Sequence, residues 1–131
     1  MSTAFTSPFP QTPIYKKAGD IFTLSINISQ YLSEDLAPLK ENGEEDFNIY
    51  FTGDIVQQSN SLAPFIYKAE SQVFAEDKYK YVALITKLTN LLHKNCERLE
   101  HINSNGKDFL PMLRKELKKF RKLQQSWMLT L

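Results

Sequence analysis

Apolar residues recur along this chain at intervals of three and four, the spacing that lines one face of a helix. Ile14, Ala18, Ile21, Ser25, Ile28 and Leu32 form the first such stripe, widened by Tyr15 and Phe22. It predicts a helix from Pro13 to about Ser33. Thr12 stands at the N-cap, and Pro13 occupies the first helical position, where a missing N–H costs nothing. The second stripe holds Phe51, Ile55, Leu62, Ile66, Ala69 and Val73, with Pro64 inside it. A proline there displaces one backbone hydrogen bond, so a kink or a break into two helices is expected. Tyr81, Val82, Ile85, Leu88, Leu91, Leu92, Cys96, Leu99 and Ile102 fall within half a cylinder and predict a third helix over about Glu76–Ile102. "NSNG" at Asn103–Gly106 stops it, and a fourth helix begins near Asp108 with Pro111 in its first turn.

Between the first two stripes, "EDLAPLKENGEED" is punctuated by Pro38 and Gly43 and reads as a connection. Residues 1–12 contain Pro8 and Pro10 and show no periodicity, which predicts a mobile or loosely docked arm. The remainder, 13–131, is one domain. Four helices, each with a single apolar face, bury those faces by packing as an all-α, antiparallel up-down-up-down four-helix bundle. Only four glycines in 131 residues agree with few tight turns.

Charge sharpens this picture. The net value of +1 hides a segregation. From Glu34 to Asp54 seven acids face one base, a balance of −6, whereas from Gly106 to Leu131 seven bases face two acids, a balance of +5. Two opposed local fields on a small body bear on partners more than the total does. With Leu113 set to zero and about 100° per residue, Leu110, Leu117, Phe120, Leu123 and Trp127 fall between about −80° and +60°. Lys107, Arg114, Lys115, Lys118, Arg121 and Lys122 fall between about +80° and +200°, and Lys119 lies off that row. The last helix is therefore expected to be a core element with a continuous cationic ridge on its back. Such a ridge is either a solvated surface or a footprint for phosphate, which would bind without sequence preference and with steep salt dependence. It carries no aromatic side chains for stacking on single-stranded bases. The terminal Met128, Leu129 and Leu131 cannot all be buried by one helix, which marks them as a candidate oligomer or partner interface.

Candidate chemistry is sparse. His93, Glu97 and His101 stand four apart, but the two histidines are separated by about 12 Å along a helix axis. One ion cannot span them, so they read as a polar edge and no metal or other cofactor is assigned. Cys96 lies within an apolar arc and reads as a small core residue. No phosphate-cradling glycine motif is present, and the carboxylates of Glu34–Asp46 have no ligand spacing. No small-molecule substrate or catalytic residue is assigned; a nuclease would need clustered helical carboxylates that are missing here. A lone cysteine, an N-terminus without a signal-peptide pattern and no apolar run of about 20 residues point to a cytoplasmic protein with no membrane role.

With these stripes laid out, the chain resembles the four-helix-bundle family of accessory variability determinants of diversity-generating retroelements. Related proteins are encoded in ribosomal-RNA intervening sequences. The resemblance is carried by "PIYKKAGDIF", with Ile14, Tyr15, Lys17 and Ala18 in the pattern, and by "SLAPFIYKA" in the second stripe. "DKYKYVALITKLTNLLHKNCERL" is similar to the long third helix, and "LRKELKKFRKLQQSWMLTL" to the closing one. Phe65-Ile66-Tyr67-Lys68-Ala69 stands where the intervening-sequence branch has Asn-Ile-Ala-Glu-Gly, which favours the retroelement branch. The resemblance implies a homo-oligomer, ring-like and pentameric, with a basic surface. It would bind the element's reverse transcriptase and RNA or DNA, supporting mutagenic cDNA synthesis without catalysing it. The other reading is a protein-only interaction or scaffold module with no nucleic-acid role, its acidic and basic regions pairing head to tail.

Overall fold

A computed structural model describes residues 9–131. Regular structure among them is entirely helical: α1 (Pro13–Leu36), α2 (Asn48–Asn60), α3 (Leu62–Ser71), α4 (Ala75–Leu99), a 3₁₀ turn (Asn105–Phe109) and α5 (Leu110–Met128). With α2 and α3 end to end forming one rod, the four rods make a four-helix bundle. Of the expected arm, residues 1–8 lie outside the described residues. Phe9 stacks on the Tyr15 ring at 5.6 Å and meets Tyr67 edge-on, so the described end of the arm is docked on α1 and α3.

Thr12 is extended at the N-cap of α1 and Pro13 follows it, although the threonine hydroxyl makes no capping bond. The helix runs to Leu36, three residues beyond the expected Ser33, and buries Leu36 as one more step of its stripe. Pro38 then removes the next donor, and the Ala37 amide closes the helix onto the Ser33 carbonyl at 2.9 Å.

The second rod is interrupted at Ser61, three residues before Pro64. Proline has no N–H to give the Asn60 carbonyl, and this is the bond that would have carried the helix through. Val73, expected in this rod's core, instead lies beyond α3 and is 85% exposed. The α3–α4 turn lifts it off the bundle, a correction that the three-and-four count could not anticipate. Phe51 is half-buried beneath the Arg98 guanidinium, 4.2 Å from the ring centroid.

α4 starts with Glu76 and Asp77 in its first turn and has Arg98 in its last, both favourable to the helix dipole. Its buried face is narrower than the expected half-cylinder. Val82, Ile85, Thr89, Leu92, Cys96 and Leu99 are buried, whereas Leu91 stays exposed and Tyr81 is half-buried against Phe65. The helix ends at Leu99, and Ile102 is buried from the following loop.

That loop is tied to α1. The Ser104 hydroxyl donates to the Asp35 carboxylate and accepts the Gly106 amide at 3.0 Å. Gly106 is buried against Tyr31 and Leu32, and the chain passes through a 3₁₀ turn before α5 begins at Leu110, two residues later than expected.

Contacts between rods run in opposed sequence directions. Ser33 meets Thr52 while Tyr15 meets Glu70; Asn95 meets Gln58 while Tyr81 meets Phe65; Glu100 meets Arg114 while Thr86 meets Gln124. Lys17 of α1 reaches Glu116 of α5, so the last rod closes on the first. Ile21, Leu32, Ile55, Leu62, Ile66, Ile85, Leu92, Leu99, Leu113, Leu117 and Phe120 are all fully buried in one core. Each large side chain contributes about 1.5–3 kcal/mol by leaving water.

Candidate nucleic-acid interface on the last helix

α5 is held in place by its apolar side. Leu110, Leu113, Leu117, Phe120 and Trp127 are buried, Gln124 is buried with its amide donating to the Thr86 hydroxyl at 3.0 Å, and Leu123 is half-buried. A carboxylate fixes one flank. Glu116 accepts the Lys17 ammonium at 2.8 Å and the Lys119 ammonium at 3.1 Å, on the side facing α1. The hydrogen bond from Lys17 is the main reason the Glu116 carboxyl sits below its ordinary range, and the same bond lifts Lys17 above its own.

The six ridge residues do not share one environment. Arg114 is half-buried and donates twice to Glu100 Oε1, at 3.1 Å from Nε and 2.7 Å from Nη2. Its charge is answered by the carboxylate that caps the end of α4, so it leaves the row of free cations that the periodicity suggested. Glu100 is fourteen residues away, across a turn whose geometry the sequence does not declare. Arg121 donates from Nη2 to the Asn90 side-chain oxygen at 2.7 Å; its neutral partner positions the guanidinium in the α4–α5 seam and leaves its charge uncompensated. Lys107 lies in the 3₁₀ turn, half-buried and off the helix. Lys115, Lys118 and Lys122 are exposed, and among the described residues they have neither an ion pair nor a hydrogen bond. These three lysines are what remains of the ridge as a surface of open positive charge.

The seam adds residues that α5 alone does not reveal. Pairing of Glu100 with Arg114, Asn90 with Arg121 and Thr86 with Gln124 sets the level of α4 against α5. On that register Lys94 lies level with Lys118, and Lys87 lies beside the turn that carries Lys122. Both are exposed and, among the described residues, unpaired. Their positions in α4 carried a signal, since no Asp or Glu occurs from Lys78 to Cys96, but only lateral packing joins that stretch to α5.

The terminal apolar residues divide. Met128 and Leu131 are half-buried against the core, and Leu129 is 88% exposed. Nearby, the Glu70 carboxylate accepts the Tyr15 hydroxyl at 2.5 Å and the Trp127 indole N–H at 2.9 Å, which ties α1, α3 and α5 together at one end. Burial and then that carboxylate push the Tyr15 hydroxyl's pKa upward. A cleft of about 270 Å³ opens beside this clasp, lined by Pro13, Ile14, Glu70, Leu123 and Trp127.

Elsewhere reactive chemistry is damped. Cys96 is fully buried, and burial pushes its thiol up to about 12, so almost none is thiolate at neutral pH. His93 Nδ1 lies 2.8 Å from Glu97, His101 is exposed, and no group of three metal-ligating side chains occurs among the described residues. Among the described residues, no helix is long and apolar enough to cross a membrane. Compared with known proteins, the chain matches no family model, no curated protein and no solved structure.

Proposed function

We propose that this bundle is a non-catalytic adaptor that holds a polyanion on the back of α5. The observation that carries this reading is the trio Lys115, Lys118 and Lys122, exposed and, among the described residues, unpaired on a helix whose other side is locked into the core. Open ammonium groups on a rigid support bind phosphates by releasing counterions, without reading bases. The retroelement resemblance gives the setting: a homo-oligomer, pentameric by that resemblance, that joins a reverse transcriptase to RNA or DNA during mutagenic cDNA synthesis, and the lone cysteine fits a cytoplasmic place for it. The test is a gel-shift titration at low salt with the Lys115→Glu, Lys118→Glu, Lys122→Glu variant. Binding is expected to vanish while helical circular dichroism is unchanged. Undiminished binding by this variant would overturn the reading.

A protein-only module is the second reading, favoured by the apolar surface at the bundle end where Trp127 meets Glu70. Val73, Phe74 and Leu129 are respectively 85%, 66% and 88% exposed there. Self-association in analytical ultracentrifugation, with no nucleic-acid binding at any ionic strength, is the signature that would displace the first reading.

A further inference from the structure

We infer that the interface is a two-row grip, with Lys87 and Lys94 of α4 joining Lys115, Lys118 and Lys122 of α5 to hold the backbone of a double-stranded nucleic acid. This inference rests on the adaptor reading of the α5 lysines and adds both a second row and a class of ligand.

The geometry follows from the seam. Arg121 on Asn90 and Gln124 on Thr86 hold α4 and α5 side by side and opposed in direction. Packed helices have axes about 8–10 Å apart. Along each axis the lysines are spread over a similar length: seven residues separate Lys87 from Lys94 and Lys115 from Lys122, about 10 Å in each case. Between the rows the Arg121 guanidinium is fixed by a neutral amide and adds to the positive field.

Acids are sparse along the two rows. None occurs in α4 from Lys78 to Cys96 or in α5 from Leu117 onward. The nearest carboxylates, Glu97 and Glu100, lie at the Lys94–Lys115 end; Glu100 is paired with Arg114, and Glu97 is exposed with His93 Nδ1 2.8 Å away. Glu116 faces the opposite flank, toward Lys17.

Two features select a duplex. A single strand presents one line of phosphates and can follow only one of the two rows, whereas a duplex offers two lines across a groove. Single-strand binders also supply aromatic platforms for the bases. Here Phe120 and Trp127 of α5 are buried, and α4 has no Phe, Tyr or Trp between Val82 and Leu99. The surface offers charge and no stacking, which suits a backbone whose bases are already paired.

The shared ligand chemistry is paired phosphate backbone, whether DNA or RNA, so the test uses both. Labelled duplexes and single strands of equal length are titrated by fluorescence anisotropy at several salt concentrations. If each of the five lysines meets one phosphate, the log–log salt slope on duplex is about −4.5, against about −2 for a single strand following the α5 row alone. The Lys87→Gln, Lys94→Gln variant is expected to reduce the duplex slope by about 2 and leave the single-strand slope unchanged. The Lys115→Gln, Lys118→Gln, Lys122→Gln variant is expected to weaken both. If the α4 variant matches the native protein on duplex while the α5 variant loses binding, the two-row grip is wrong and the α5 reading survives. Equal slopes on duplex and single strand would likewise overturn the grip. Absence of binding to every nucleic acid would overturn both readings. A duplex preference limited to RNA or to DNA supports the grip and identifies its source.

Discussion

Replacing Gly106 with alanine isolates the contact that seats the 3₁₀ turn on α1. A Cβ built at Gly106 would lie 2.5 Å from Tyr31 Cδ1 and 2.8 Å from Leu32 Cδ2. Carbon atoms prefer about 3.5–4.0 Å, so the neighbours must move by about 1 Å. Tyr31 is partly exposed and its ring can swing, though at the expense of its edge-on contact with Phe109. Leu32 is fully buried and has nowhere to go. Overpacking of this kind costs about 1–3 kcal/mol. With a urea dependence of about 2 kcal/mol per molar, a loss near 2 kcal/mol lowers the midpoint by about 1 M with the slope unchanged. Gly19 and Gly53 supply the contrast. Both lie within helices and an added Cβ meets nothing within 4 Å, so alanine there is expected to stabilise by about 0.5–1 kcal/mol. Urea melts of the three variants, followed by circular dichroism, decide the matter. An unchanged midpoint for Gly106→Ala, with the other two shifted upward, would show that the turn does not approach α1 as described.

Three further outcomes follow from side chains at the seams. Glu70→Ala orphans the buried Tyr15 hydroxyl and the Trp127 indole N–H and is expected to cost about 1–3 kcal/mol, with a changed tryptophan emission; a neutral thermal melt would refute the clasp. Glu116→Gln is expected to cost about 1 kcal/mol at neutral pH. Because the Glu116 carboxyl is lowered in the fold, its contribution is present above the unfolded carboxyl's titration and is lost as pH falls through the lowered value. The gap between variant and native protein should therefore close in acid, and a gap constant with pH would show that the Lys17 bond is not its source. Lys17, raised in the fold, keeps its contribution below its unfolded titration and loses it only as pH rises through that raised value. Cys96 should react with thiol reagents at the rate of opening rather than at a thiolate's rate, so alkylation that outpaces amide exchange of α4 would contradict its burial.

The helical stripes were legible because burial repeats with the turn of the helix. Ile14 to Leu32 and Leu110 to Phe120 occupy the core as their spacing indicates. Positions past a rod end or at the edge of a stripe were not legible in this way. Val73 matches the count but falls past α3, and Leu91 matches it but sits where α4 has no neighbour to cover it. The ridge shows the same division. Periodicity places Lys115, Lys118 and Lys122 outward, and the structure has them there. It is silent on partners from other helices, and so missed both the capture of Arg114 by Glu100 and the pairing of Arg121 with Asn90 that sets the level of α4 against α5. Local sequence determines which way a side chain faces; what stands opposite it depends on turns such as Ser104–Phe109.

The break at Ser61 gives the second rod two separate loyalties. Its first half leans on α1 and α4, and its second half chiefly on α4. With no N–H at Pro64 to reach the Asn60 carbonyl, the halves are not bound to melt together. Amide-proton exchange along this rod should step at the joint rather than grade smoothly, making Ser61 a natural seam for a permuted or split version of the chain.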